Sequence, residues 1–284
     1  MDSTITDLID LKRYEDYLVT KMPKAATEGP KGLALLEQSI AYTVKSGGKR
    51  FRPALSLLTA KTLEADEDSV FAVGTAAEWI HTYSLIHDDL PCMDNDDERR
   101  GQPSNHKVYG EALALLAGDA LLTETFGFLA REYSEVPDRA VKIISELSSL
   151  AGVNGMVGGQ SVDIDEDSDE KAKWISYIHE KKTGALIQAS VVCAAHACGA
   201  DETKVAALRS FSDQLGLAFQ LADDLLDWDP ENPEPTSYVN VVGPEETARL
   251  LNETSDQCLN HLEKVGLQTK FFAPLVEFNK TRES

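Results

Sequence analysis

Two acidic clusters stand where helix electrostatics disfavours them. In the run Leu85-Ile86-His87-Asp88-Asp89-Leu90-Pro91-Cys92-Met93-Asp94, the carboxylates Asp88, Asp89 and Asp94 gather around a proline that helices do not pass. A second set, Asp223, Asp224, Asp227 and Asp229, precedes Pro230. The C-terminal end of a helix carries the negative pole of the macrodipole, so each carboxylate there costs about 0.3–1 kcal/mol. Asp223 and Asp227 also share a face four residues apart, and such like-charged pairs repel by about 0.2–0.5 kcal/mol. Either the clusters lie on a solvated acidic surface or a cation relieves them. Apolar helix precedes both, with Trp79, Ile80, Leu85 and Ile86 before the first and Leu215, Leu217, Phe219 and Leu221 before the second. That pattern places them at the ends of core helices. Carboxylate sets suit Mg2+, which keeps several waters and binds through a few carboxylates plus substrate phosphates. Such a site is incomplete until a diphosphate arrives.

Three basic elements can receive that anion. Gly47 and Gly48 precede Lys49, Arg50 and Arg52, a turn in which backbone N–H groups and cations can converge on phosphate oxygens. Arg99 and Arg100 follow the first acidic cluster directly; adjacent side chains point apart and can serve two anions, or they form ordinary salt bridges to Asp96, Asp97 and Glu98. Helical steps back from Val192 through Ala189 and Ala185 land on Lys182 and Ile178, which puts this lysine on an apolar face where it requires an anion or a lowered pKa. Gly184 weakens the helix beside it and can free a carbonyl toward a cavity. His81 lies two helical turns before Asp88, for core packing or for the site.

The elements that must position these residues are helices. The chain has 284 residues with 42% hydrophobic content, enough for a sizeable core, and runs of alternating β-branched residues are nearly absent. Periodicity predicts helices over 32–45, 53–63, 69–90, 138–157, 169–197, 202–228 and 245–265, together with a long one from Val108. On that long helix Ala112, Leu115, Leu122, Phe126 and Leu129 form the expected core stripe, with Asp119 as a buried structural carboxylate. Loops are expected over 23–32 and 229–235, neither of them a domain linker. The expected fold is all-α, a single domain over 1–284, with about ten mostly antiparallel helices around a central cavity. A net charge of −21 argues against non-specific binding to nucleic acid or an anionic bilayer. The four cysteines show no zinc pairing, the N-terminus shows no targeting pattern, and the longest weakly polar stretch, 185–200, is too short to span a bilayer. A cytoplasmic protein with no membrane span is expected.

In order along the chain, GGKRFRP, IHTYSLIHDDLPCMDNDDERRG, NHKVYGEALALLAGDALL, GMVGGQSVDI, KKTGAL and GLAFQLADDLLD resemble the motifs of the trans-isoprenyl diphosphate synthases, closest to the bacterial-type farnesyl branch. The resemblance implies the isoprenoid synthase fold, a homodimer, and condensation of isopentenyl diphosphate with an allylic diphosphate (dimethylallyl or geranyl) to give farnesyl diphosphate. It implies Mg2+, three ions with substrate bound, held chiefly by Asp88, Asp94 and Asp223 with Asp89, Asp224 and Asp227 supporting. Gly48, Lys49, Arg52, His81 and Arg100 would hold isopentenyl diphosphate, and Arg99, Lys182, Thr183 and Gln220 the allylic diphosphate. Oxygens near Thr183 and Gln160 would stabilise the allylic cation. Tyr83 and Ser84, five and four residues before Asp88, would set chain length, with Tyr83 as the floor.

One feature of the family pattern is missing. Relatives carry a lysine after the second acidic cluster, whereas Glu234 stands near that place here; Lys280 and Arg282 are the remaining basic candidates. A geranylgeranyl diphosphate synthase shares nearly all the motifs. A class I terpene cyclase usually lacks the second acidic set and the GGKRFRP site, and a non-catalytic subunit of a heteromeric synthase would have lost its aspartates. A phosphohydrolase built on His87-Asp88 lacks a second paired set.

Overall fold

A computed structural model describes residues 3–24, 29–164, 173–231 and 237–282. The long helices are α1 (Leu11–Lys21), α2 (Lys31–Lys45), α3 (Phe51–Thr62), α4 (Phe71–Asp88), α5 (Glu111–Glu132), α6 (Pro137–Ala151), α7 (Met156–Asp163), α8 (Ala185–Ala197), α9 (Glu202–Leu226), α10 (Pro244–Cys258) and α11 (Ala273–Thr281). Among the described residues the only strands are β1 (Glu98–Arg99) and β2 (Gln102–Pro103), an antiparallel pair. The all-α expectation is met.

Helix α8 is the hub. Its sequence is apolar on every side, and Leu186, Val191, Val192, Ala194 and Ala195 are fully enclosed, as a helix packed all round requires. It packs against α3, α4, α6 and α9. The two helices that end in acidic clusters, α4 and α9, both pack on α8 rather than on each other. Beside α8 two cavities open, walled by residues of α3, α4, α7 and the turn before α8, with Phe219 of α9.

Three helix assignments need correction. Helix α1 precedes every helix read from periodicity; Asp10 caps it by accepting from the Arg13 N–H, and Tyr14 and Leu18 carry it into the core beside Phe71. Likewise α11 follows the last expected helix. The single helix expected over 138–157 is two, because the chain turns at Gly152 and Gly155, where any side chain would meet backbone carbonyls.

The long helix is also turned at its start: Ala112 and Leu115 of the expected stripe are exposed, Leu122 and Phe126 half-buried, and Leu129 buried as expected. It begins after Gly110, and its buried face is Ala114, Ala117, Gly118, Leu121, Thr125, Phe128 and Leu129. Leu115 is 47% exposed and the Asp119 carboxylate 58% exposed, so Asp119 is no buried carboxylate. This helix is apolar on two sides, and small residues win the inward side because α4 approaches closely: a methyl group on Gly118 would overlap the His87 ring. With 22 residues and mean hydropathy 1.5, α5 is also the one described helix long and apolar enough to cross a membrane, in place of 185–200. Its buried face packs on α4 and α2 as a core helix does.

Candidate active site

The first acidic cluster forms because α4 ends at Asp88 and the chain folds back, so that the Asp94 N–H donates to the Asp88 carbonyl at 2.9 Å. Burial pushes the Asp88 carboxyl up to about 6, with Asp94 and Asp89 adding while Lys182 and Arg99 oppose. Asp94 is exposed. Asp89 differs from both. It is 2% exposed and accepts from Arg99 Nε at 2.9 Å; burial raises its carboxyl even so.

Arg99 and Arg100 diverge as expected, and the reason is a hairpin. Strands β1 and β2 are joined through Arg100 and Gly101, both at positive φ (56° and 72°), the two-residue turn that suits right-twisted strands. Arg99 turns to Asp89 and to Asp96 at 2.9 Å. Arg100 turns to the Gly47 carbonyl and lies on Gly48, whose φ of 130° and lack of a side chain make the approach feasible.

The run from Gly47 opens α3 and lines a cavity of about 690 Å³ with Gly48, Lys49, Arg52, His81, Arg100 and Thr183. Arg50 is absorbed by the fold: it is 7% exposed, with Nη1 on Glu78 at 2.6 Å and Nη2 on the Val44 carbonyl at 3.0 Å. Arg52 has no such pairing. Burial lowers it to about 10, Arg100 adds to the strain, and Glu78 offsets part of it. His81 is held well below its ordinary value by burial and then by Arg52 and Arg100, so it is neutral at pH 7. Burial and neighbouring cations lower both Arg52 and Arg100, and guanidinium groups so placed form a receptacle for an anion.

A second cavity of about 350 Å³ shares Arg52, His81 and Thr183 with the first. Asp88, Lys182 and Gln160 line it alongside the less polar residues Tyr83, Leu85, Met93, Met156, Val157 and Ile164. Tyr83 is 5% exposed, its ring meets His87 edge-on at 5.8 Å, and burial pushes its hydroxyl up to about 12. Ser84 donates to the His81 carbonyl at 2.9 Å. Both amide atoms of Gln160 are buried without a hydrogen-bond partner, an arrangement that a ligand would complete.

Lys182 lies in a π-helical turn, His179–Gly184, a local widening of the helix common at functional sites. Two glycines let it dock. A side chain on Gly159 would overlap the Lys182 backbone, and one on Gly216 of α9 would stand 3.0 Å from Gly184. The Lys182 ammonium pairs with Asp163 Oδ2 at 2.6 Å.

In the second acidic cluster, Asp223 is met by Arg282 Nη2 at 2.6 Å, and the same guanidinium stacks 4.5 Å over Phe219. Burial raises the Asp223 carboxyl, Arg282 opposes and Asp227 adds. Asp224 faces elsewhere: its Oδ2 accepts from the Tyr238 N–H at 2.7 Å and its Oδ1 lies 3.9 Å from His179 Nε2. Asp227 is exposed, and Gln220 is half-buried on α9, lining neither cavity. Lys280 pairs with Asp256 at 2.9 Å instead, and Glu234 lies outside the described residues.

Asp88, Asp94, Asp223 and Asp227 offer oxygen donors alone, and crowding plus burial holds Asp88 and Asp223 in a state that a divalent cation would relieve. These residues fit Mg2+. Among the described residues no three His, Cys, Asp or Glu side chains already converge on an ion-sized site. Motif reading assigned no role to Asp163 or to the Arg50–Glu78 pair. Asp163 stands within GMVGGQSVDI, one helical turn after Gln160, and that spacing was its signal.

Comparison with known proteins agrees with this geometry. The family profile described as polyprenyl synthetase matches residues 33–234. The chain is 45% identical over 195 residues to a farnesyl diphosphate synthase of Bacillus subtilis, covering 68% of this chain and 66% of that protein. It is 37% identical over 257 residues to a chloroplastic geranylgeranyl pyrophosphate synthase of Capsicum annuum, covering 85% of this chain and 69% of that one. The matched stretches thus take in about two thirds of these relatives' length. A geranyltransferase crystal structure from Legionella pneumophila superposes with TM-score 0.87 at 31% identity, covering 99% of both chains.

Proposed function

Because the chain belongs to the polyprenyl synthetase family, we propose that it condenses isopentenyl diphosphate with dimethylallyl or geranyl diphosphate, with farnesyl diphosphate as product. The observation that carries this reading is the pair of confluent cavities: one ringed by cations, the other less polar and lined by Asp88 and Lys182, with Arg52, His81 and Thr183 common to both. Two anionic substrates can lie side by side there, with their reacting carbons near the shared wall.

Isopentenyl diphosphate takes the larger cavity, where Lys49, Arg52 and Arg100 pair with its phosphates. The allylic diphosphate lies at the mouth of the smaller one, held by Lys182 and Arg99, with its hydrocarbon tail toward Tyr83. Asp88, Asp94 and Asp223, with Asp227 in support, would hold Mg2+, which would supply charge neutralisation for the departing diphosphate. Ionisation leaves an allylic cation. The Thr183 and Gln160 oxygens face that charge, the double bond of isopentenyl diphosphate attacks it to form the new C–C bond, and the resulting cation loses a proton to the released diphosphate. The buried side chains of Tyr83 and Met156 keep water from the cation. Asp89 serves by orienting Arg99, and Asp224 by fixing the segment at Tyr238. Arg282 is the cation that Asp223 meets where relatives carry a lysine.

Residues 1–284 act as one domain in this reading. A homodimer is supported by the apolar residues exposed on α5 and α6, Leu115, Leu116 and Val141. The four cysteines are all free, which fits the reducing cytoplasm. A twenty-carbon product is the second reading, favoured by the 45% exposure of Val157, which leaves the smaller cavity open at its side. Incubation with labelled isopentenyl diphosphate, Mg2+ and each primer, followed by chromatography, tests the proposal. A fifteen-carbon product is expected; no condensation product with either primer would sink it.

A further inference from the structure

Asp163 belongs to neither acidic cluster, yet it holds a member of the site. It is the last residue of α7, and its Oδ2 lies 2.6 Å from the Lys182 ammonium. The backbone builds this approach. Gly159, one turn earlier, packs on the Lys182 backbone so closely that no side chain fits between them, so α7 and the π turn are held in one register. Lys182 also shares the wall of the smaller cavity with a second carboxylate, Asp88. A lysine ammonium is a compact charge on a flexible stem and can swing between two such acids. On Asp88 it would occupy a carboxylate that a divalent cation needs.

We propose that Asp163 is a positioning residue that parks the Lys182 ammonium away from Asp88, leaving Asp88 open to Mg2+ and the lysine available to an entering diphosphate. The pair suits a handover. The two side chains are 35% and 21% exposed, so water screens the contact and breaking it costs little. The inference rests on the reading of Asp88 as a Mg2+ ligand in a prenyl-transferring site.

The experiment titrates Mg2+ into the full chain with inorganic diphosphate and measures, by calorimetry, the Mg2+ concentration that half-saturates diphosphate binding. In Asp163→Asn the lysine falls onto Asp88, and the half-saturating Mg2+ rises by about fivefold, the upper end of what a partly exposed ion pair contributes. Asp163→Glu keeps the charge and restores the original requirement. In a Lys182→Met background diphosphate binds more weakly, but Asp163→Asn has no further effect on the Mg2+ requirement, which a merely structural loss at α7 would not reproduce. Asp163→Ala guards against a folding defect peculiar to the amide and gives the same rise. An unchanged Mg2+ requirement in both Asp163 variants overturns the inference, as does a rise that persists without Lys182. Failure of the unaltered chain to bind diphosphate with Mg2+ would overturn the functional reading itself.

Discussion

Replacing Tyr83 with alanine should lengthen the product by one isoprene unit, and the structure sets the scale. The smaller cavity holds about 350 Å³ and Tyr83 forms part of its wall. An engineered cavity of about 150 Å³ accepts benzene, or about 25 Å³ per carbon. By that measure the space holds about fourteen carbons, close to a farnesyl chain. Removing the six ring carbons and the hydroxyl opens room of the order of one more five-carbon unit on the same scale. The cost in stability is at most the about 3–5 kcal/mol of a large aromatic truncation, lessened because the ring borders a cavity and its hydroxyl is buried without a partner. Tyr83→Phe keeps the ring and should keep both the product and the stability. Chromatography of products made from geranyl diphosphate decides the matter: a shift toward twenty carbons in Tyr83→Ala alone is expected. A fifteen-carbon product from Tyr83→Ala refutes the assignment of Tyr83 as floor, and a shift in Tyr83→Phe refutes the volume argument.

Arg52→Met removes a half-buried cation that lines both cavities without a paired carboxylate; by the size of a charged hydrogen bond, about 1.5–3 kcal/mol, KM for isopentenyl diphosphate should rise ~10- to 150-fold with little change for the allylic substrate, and equal changes in both would place Arg52 elsewhere. The Asp88 carboxyl, raised by burial to about 6, sets two opposite pH trends. Its folded value lies above the unfolded one, so the metal-free chain gains stability below the ordinary carboxylate range and loses it as pH rises through 6, read by thermal unfolding. Activity at subsaturating Mg2+ should instead fall as pH drops through 6 and recover with added metal; a pH profile indifferent to Mg2+ would contradict Asp88 as a ligand. Arg282→Ala removes a cation competing for Asp223, so the Mg2+ that half-saturates inorganic diphosphate binding should fall by several-fold, about what a partly buried ion pair contributes; a rise would mean that Arg282 serves the diphosphate directly.

Most helices were legible because an apolar residue every three or four positions leaves few alternatives, and α4, α8 and α9 lie where that period puts them. The weaker cases share one cause. On α5 two apolar stripes compete over its first half, and choosing between Ala114-Ala117-Leu121 and Ala112-Leu115-Leu122 requires knowing how close α4 comes. The hairpin at Arg99 has strands of two residues, too short for any alternating pattern.

Composition and spacing alone determined that two sets of aspartates end core helices and that cations follow glycines at 47–48, because helix electrostatics penalises such placements unless a ligand offsets them. Tertiary structure decided how those charges are shared out. Asp89 goes to Arg99, Asp224 to the Tyr238 backbone, Lys182 to Asp163 and Asp223 to Arg282. Partners 10, 14, 19 and 59 residues apart are chosen by packing, and no local pattern in the chain records which carboxylate a lysine or arginine will meet.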